Sequence, residues 1–316
     1  TNQFGDPTGT YTKQSEEVED AIVAEALAAG CNFFDTAEAY AGGEAEKALG
    51  RALRNSGAPR ASYAVASKVN APNLAPDNVV AACNRSLENL GLDYIDLYQV
   101  HWPNREVPIA DTMAALKGLH DAGKIKAIGV SNFGPGDLAD ALATGVPIVT
   151  NQLPYAAILR GIEFEITAPC AAADVKVMAY SPMAQGLLAG KYAKTADCHE
   201  GLSRSRLFAS TTSSKCRHTE PGCEAELWAA VAAIRKVAED AARPMAEVAL
   251  SWVLQQPSVG TVVFGASKVD HVRAAVRAAT SPIDAAAVAA VTAAGEPVKA
   301  ALGTNCDLWD STSRYR

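Results

Sequence analysis

The chain has no uninterrupted apolar run of about 20 residues, the length a helix needs to cross a bilayer. It opens on no basic, then apolar, leader, so no signal peptide is read. It has no excess of basic charge: 28 Lys plus Arg stand against 35 Asp plus Glu, a net charge of −7. Phosphate backbones call for the opposite field, which excludes nucleic acid as the main partner. There is no internal repeat, no long low-complexity tract, and no Gly-x-Gly-x-x-Gly after an early strand. The last absence weighs against a dinucleotide-binding open sheet. Cysteines number seven, an odd count scattered over 316 residues. That pattern fits reduced thiols rather than a secreted disulfide framework.

What is present is enough apolar material for a large core, 49% of residues. It is arranged as an alternation. Short apolar runs occupy Asn32–Asp35, Tyr63–Lys68, Ile95–His101, Ile125–Ser131, Ile148–Gln152, Val175–Tyr180 and Val259–Phe264. Such near-continuous runs predict parallel strands covered on both faces. Between them, amphipathic stretches predict helices over Ser15–Ala29, Gly43–Arg54, Pro76–Leu90, Ile109–Asp121 and Glu224–Ala242. Gly30 and Gly91 follow two of these, and Asp77 falls in a first turn. Strands alternating with helices imply a parallel sheet in one domain over residues 1–316.

Six of the seven runs end on polar side chains: Asp35, Lys68, His101, Ser131 with Asn132, Gln152, and Tyr180 with Ser181. In a (β/α)8 TIM barrel the functional groups stand at the C-terminal strand ends, whereas an open sheet gathers them near one switch point. The expected fold class is therefore α/β, a (β/α)8 barrel. Each group alone has an ordinary structural role, as a cap, a packing ring or a surface charge. Asp35, Tyr40, Lys68 and His101 on adjacent strand ends form a chemical set. A phenol is a weak acid near neutrality, an adjacent ammonium favours its phenolate, and a buried ammonium needs a carboxylate. An imidazole orients a carbonyl oxygen. The set suits carbonyl reduction, with Tyr40 as proton donor.

The segments "FFDTAEAYAGGEAEKALGRAL", "ASKV", "LDYIDLYQVHWP", "GKIKAIGVSNF", "NQLPY", "AYSPMAQGLLAGKY" and "VVFGASK" occur in this order. On them the chain resembles the aldo-keto reductase superfamily over nearly its whole length. The likeness is greatest to the bacterial and plant-type branch that includes potassium-channel β subunits. The resemblance implies an NADP(H)-dependent oxidoreductase acting on a small carbonyl substrate without metal. By family pattern Tyr40 is the acid, Asp35 and Lys68 adjust it, and His101 positions the substrate. Ser131 and Asn132 bond the nicotinamide amide with Gln152 beside them, and Tyr180 stacks on the ring. The loop Ser181, Pro182, Met183, Ala184, Gln185, Gly186 and Leu187 wraps the pyrophosphate with Lys191 nearby. Gly265, Ser267 and Lys268, at the start of a helix, hold the 2′-phosphate.

The resemblance also implies departures. The family's Gly-Thr-Trp near the first strand leaves only Thr1-Asn2 here, so a truncated first strand or N-terminal hairpin is expected. The adenine end carries His271, Ala274 and Ala275 where the family commonly has Gln, Glu and Asn. The stretch Lys194–Cys223, with Cys198, His199, Cys216, His218 and Cys223, lacks paired zinc spacing and reads as a long polar loop, with Arg204 or Arg206 toward phosphate. Substrate choice falls to this loop, to Trp102–Val107 and to the tail Asn305–Arg316. The alternative function is a non-catalytic or regulatory NADP(H)-binding subunit with a protein partner or a homo-oligomer. The expected location is cytoplasmic, or the chloroplast after loss of a targeting segment.

Overall fold

The structure is a computed structural model and describes residues 14–316. Thr1, and with it the expected remnant of a first strand, lies outside the described residues. Among the described residues seven strands stand in the sheet in their chain order: β1 (Phe33–Asp35), β2 (Ala64–Val69), β3 (Ile95–Val100), β4 (Ile125–Ser131), β5 (Thr150–Pro154), β6 (Lys176–Tyr180) and β7 (Val259–Val263). The predicted β4 range matches the observed one, and the other strand ends move by at most two residues. The chain divides into two compact units.

The first unit runs to Asn151 and takes back Gly265–Val276. It holds β1 to β4 and the helices α1 (Glu16–Ala28), α2 (Glu44–Asn55), α3 (Pro76–Leu90), α4 (Ile109–Asp121) and α5 (Pro135–Leu142). The strands pair in parallel with neighbours in order. Helix α3 begins on Pro76, whose missing N–H would be unbonded in a first turn anyway. It ends at Gly91, φ 67°, where the Leu92 N–H reaches back to the Leu87 carbonyl at 3.1 Å. That left-handed position suits glycine. Helix α2 packs on α3 so closely that a Cβ at Gly50 would meet the Leu90 carbonyl oxygen at 2.2 Å.

The second unit spans Gln152–Phe264 and Arg277–Arg316. Here β6 pairs in parallel with β7, setting Tyr180 against Val263. The helix Met245–Leu254 is buried along most of its length, and Trp252 donates to Thr292 Oγ1 at 2.8 Å. Thr292 belongs to Ala285–Leu302, an 18-residue helix long and apolar enough by length and composition to cross a membrane, with mean hydropathy 1.2. Its hydropathy comes largely from alanine, and it carries Glu296, Pro297 and Lys299. Its Gly295 lies against the Ala157 carbonyl, where a Cβ would come to 1.9 Å. Arg160 bridges Glu296 at 2.9 Å, and Lys299 bridges Glu163 at 3.0 Å. These contacts pack its Val291, Gly295 and Val298 side within the second unit.

The stretch Lys194–Cys223 departs from the polar loop expected. Leu202, Leu207 and Phe208 are fully buried, which ties it down as packed structure.

Candidate active site

Strand register explains why distant residues meet in the first unit. Side chains two apart on a strand share a face. Asp35 pairs with Ala66, and Lys68 lies two further along β2. Lys68 pairs with Gln99, and His101 follows two beyond it; Gln99 pairs with Gly129, and Ser131 follows two beyond that. The polar position therefore advances by two residues from β1 to β2 and again from β2 to the end of β3, and Ser131 then stands level with His101 in the register. Gly129 is needed in this ladder, because a Cβ there would meet Thr150 Oγ1 at 2.4 Å.

The Lys68 side chain is fully buried. Its ammonium donates to Asp35 Oδ2 at 2.7 Å, to the Thr36 carbonyl at 2.8 Å and to Tyr40 Oη at 3.2 Å. An ammonium has three N–H donors, and these acceptors match them one for one. Burial works against the charge on Lys68, but Asp35 and Tyr40 outweigh it and its pKa stands above the ordinary lysine value. The lysine thus stays cationic beside the phenol, and a neighbouring cation favours phenolate over phenol. Tyr40 is half-buried and starts a short turn in which Ala41 has φ 51°. A left-handed non-glycine residue marks a backbone held by its surroundings.

His101 meets the Tyr40 ring edge-on, 5.5 Å between centroids. Its buried Nδ1 has no hydrogen-bond partner among the described residues. Burial, then the Lys68 charge, pulls its pKa down to about 3. The ring is neutral near pH 7 and can accept or donate one hydrogen bond. This sets a pH effect. Above about pH 6.5 the imidazole is neutral folded and unfolded. Below it the unfolded chain takes up a proton that the folded chain refuses down to about pH 3. Stability is therefore expected to fall with acidification, by up to about 1.4 kcal/mol per pH unit in this window. Urea unfolding at neutral and mildly acid pH checks this; His101→Gln should shrink the difference.

Asn132, with φ 63°, donates to the His101 carbonyl at 2.9 Å and to Ser131 Oγ at 3.0 Å. The first unit therefore brings together Asp35, Tyr40, Lys68 and His101, with Ser131 and Asn132 beside them. Sequence reasoning passed over Glu38, which sits between Asp35 and Tyr40. Its Oε1 accepts from the Asn70 N–H at 2.7 Å and from Asn73 Nδ2 at 2.9 Å, pinning the loop that carries Tyr40. The signal was a second carboxylate inside the apolar-to-polar switch. Gly265, Ser267 and Lys268 precede the helix Val269–Thr280. There His271 Nδ1 takes the Ser267 N–H at 3.3 Å and lies 3.4 Å from Ser267 Oγ. An anion at Ser267 would compete with that imidazole.

In the second unit Gln152 lies on β5 and Tyr180 ends β6. Ser181, Ala184 and Gln185 follow with φ of 53°, 43° and 56°, and Gly186 with 99°. Within this loop the Ala184 N–H donates to the Ser181 carbonyl at 2.8 Å and the Gly186 N–H to the Met183 carbonyl at 2.9 Å. Pro182 and Leu187 are buried, while Met183 and Lys191 are at least partly exposed. Arg206 corrects an expectation. Its guanidinium is buried and donates to Glu220 Oε1 and to the carbonyls of Leu302, Asn305 and Asp307 at 2.9–3.1 Å, so it is committed to the chain itself and not to a phosphate. Arg204 rests over the Trp309 ring at 4.9 Å.

Among the described residues no group of His, Cys, Asp and Glu is placed to hold a metal ion. All seven cysteines are free thiols. Burial pushes Cys83 and Cys306 up to about 12, and Cys198 and Cys223 up to about 11.

The family model described as Aldo/keto reductase family matches residues 1–296. The chain is 36% identical over 267 residues to an uncharacterized oxidoreductase of Mycobacterium tuberculosis, covering 84% of this chain and 77% of the relative. It is 32% identical over 273 residues to the aldo-keto reductase YhdN of Bacillus subtilis, covering 82% and 77%. Among solved structures it resembles the aldo-keto reductase from Klebsiella pneumoniae in complex with NADPH. The TM-score is 0.73 at 26% identity, over 98% of this chain and 93% of that one. The fold class read from the sequence, α/β of the (β/α)8 type, holds.

Proposed function

Because the chain belongs to the aldo/keto reductase family, we propose that it reduces aldehydes or ketones to alcohols with NADP(H), Tyr40 acting as the general acid. One observation carries this reading: a buried, cationic Lys68 touches both Asp35 and Tyr40 Oη. When bound, NADPH supplies a hydride to the carbonyl carbon. Tyr40 holds the proton at Oη and passes it to the carbonyl oxygen as negative charge develops there. Lys68 stabilises the phenolate left behind, and Asp35 keeps the ammonium charged. His101, neutral, orients the carbonyl oxygen by a hydrogen bond.

The residues fit the cofactor. The buried Nδ1 of His101, without a hydrogen-bond partner among the described residues, is a feature that a polar ligand satisfies. In the first unit Ser131 and Asn132 would hold the nicotinamide amide; Gly265, Ser267 and Lys268 would hold the 2′-phosphate. In the second unit Gln152 would lie at the amide and Tyr180 on the ring. Ser181, Pro182, Met183, Gly186 and Leu187 would line the pyrophosphate, with Lys191.

The test uses the purified chain with NADPH and a panel of simple carbonyls, beginning with 4-nitrobenzaldehyde. Loss of NADPH absorbance on adding a carbonyl is the expected result. Quenching of cofactor fluorescence with no turnover across the panel would replace this reading with that of a cofactor-holding subunit.

A further inference from the structure

Residues 303–316 of the second unit are fastened along their length. Asp307 is buried, and its carboxylate takes Arg314 on both oxygens and the Trp309 N–H at 3.1 Å. From the other side Arg206 grips the Leu302, Asn305 and Asp307 carbonyls and, through Nε, Glu220. Glu220 also accepts from Ser311 Oγ at 2.9 Å. The Arg314 anchor fixes its neighbour Tyr315, which is 9% exposed. The Tyr315 hydroxyl lies 3.3 Å from the hydroxyl of Tyr180, at the end of β6.

We propose that Tyr315 is a positioning residue: its hydroxyl holds the far end of the Tyr180 ring and so sets where the ring stands for the nicotinamide. The inference rests on the assignment of Tyr180 to the cofactor. A tyrosine hydroxyl lies on the axis of ring rotation, so a bond there leaves χ2 free and fixes χ1. Fixing χ1 places the ring before the cofactor arrives, and a preorganised partner loses less freedom on binding. Burial, then the nearby Tyr180, pushes the Tyr315 pKa well above the ordinary tyrosine value, so the Tyr315 hydroxyl keeps its proton.

Tyr315→Phe keeps the ring and removes only the hydroxyl. It is expected to weaken NADPH binding by about 3–10-fold, read by fluorescence titration, and to raise KM for NADPH while kcat and melting temperature hold. Tyr180→Phe should weaken NADPH binding to the same extent. The double variant should lose no more than either single one, because both remove the same bond. Additive losses in the double variant overturn the proposal. So does unchanged NADPH affinity in Tyr315→Phe when Tyr180→Ala has weakened it. If Tyr180→Ala leaves NADPH affinity intact, the assignment of Tyr180 to the cofactor fails, and the inference with it. Fastening alone predicts a lowered melting temperature without the non-additive affinity loss.

Discussion

Tyr40→Phe is expected to lower kcat for carbonyl reduction by about 10²–10⁴-fold while NADPH still binds. The two side chains share a shape, so the half-buried ring keeps its edge contact with His101. Only Oη is lost. Lys68 then gives up one of three acceptors and keeps Asp35 Oδ2 and the Thr36 carbonyl. The ammonium therefore stays paired and stability changes little. Hydride delivery to carbon without a positioned acid leaves an alkoxide to be protonated by water, and that raises the barrier. Stopped-flow measurement of one turnover separates this step from product release. A rate within a few-fold of the parent would remove Tyr40 from the mechanism.

Lys68→Met is the second large effect, and it strikes stability as well as rate. Methionine fills much of the stem but leaves the Asp35 carboxylate, 7% exposed, without its cation. Removing one partner of a buried ion pair typically costs about 3–5 kcal/mol. Denaturant unfolding should register a loss of that order. Activity should fall by about 10²-fold or more, because no cation remains to stabilise the phenolate. The double variant Asp35→Asn/Lys68→Met removes both charges. It should regain much of the stability and none of the activity. A stable, active Lys68→Met would mean that the lysine only fills space.

Much of this was legible in residue order. Helices α3 and α4 and strand β4 fall where periodicity put them, because caps and apolar runs are local signals. Asp35, Lys68, His101 and Ser131 were legible as polar strand ends; which of them stand level and which step by two residues is a matter of register. The helix Met245–Leu254 was hidden because burial around most of its circumference erases amphipathic period. Arg206 was misjudged for another reason. Its partners at Leu302, Asn305 and Asp307 lie about a hundred positions away, and nothing local announces them. The same distance in sequence concealed Tyr315 from Tyr180.

Four of the thiols carry a consequence for handling reactive aldehydes. With pKa near 11 for Cys198 and Cys223 and near 12 for Cys83 and Cys306, the anionic sulfur at neutral pH is on the order of one part in ten thousand or less. Alkylation and adduct formation proceed through that anion. At these four positions the thiols are expected to react slowly with the electrophiles the chain is proposed to consume.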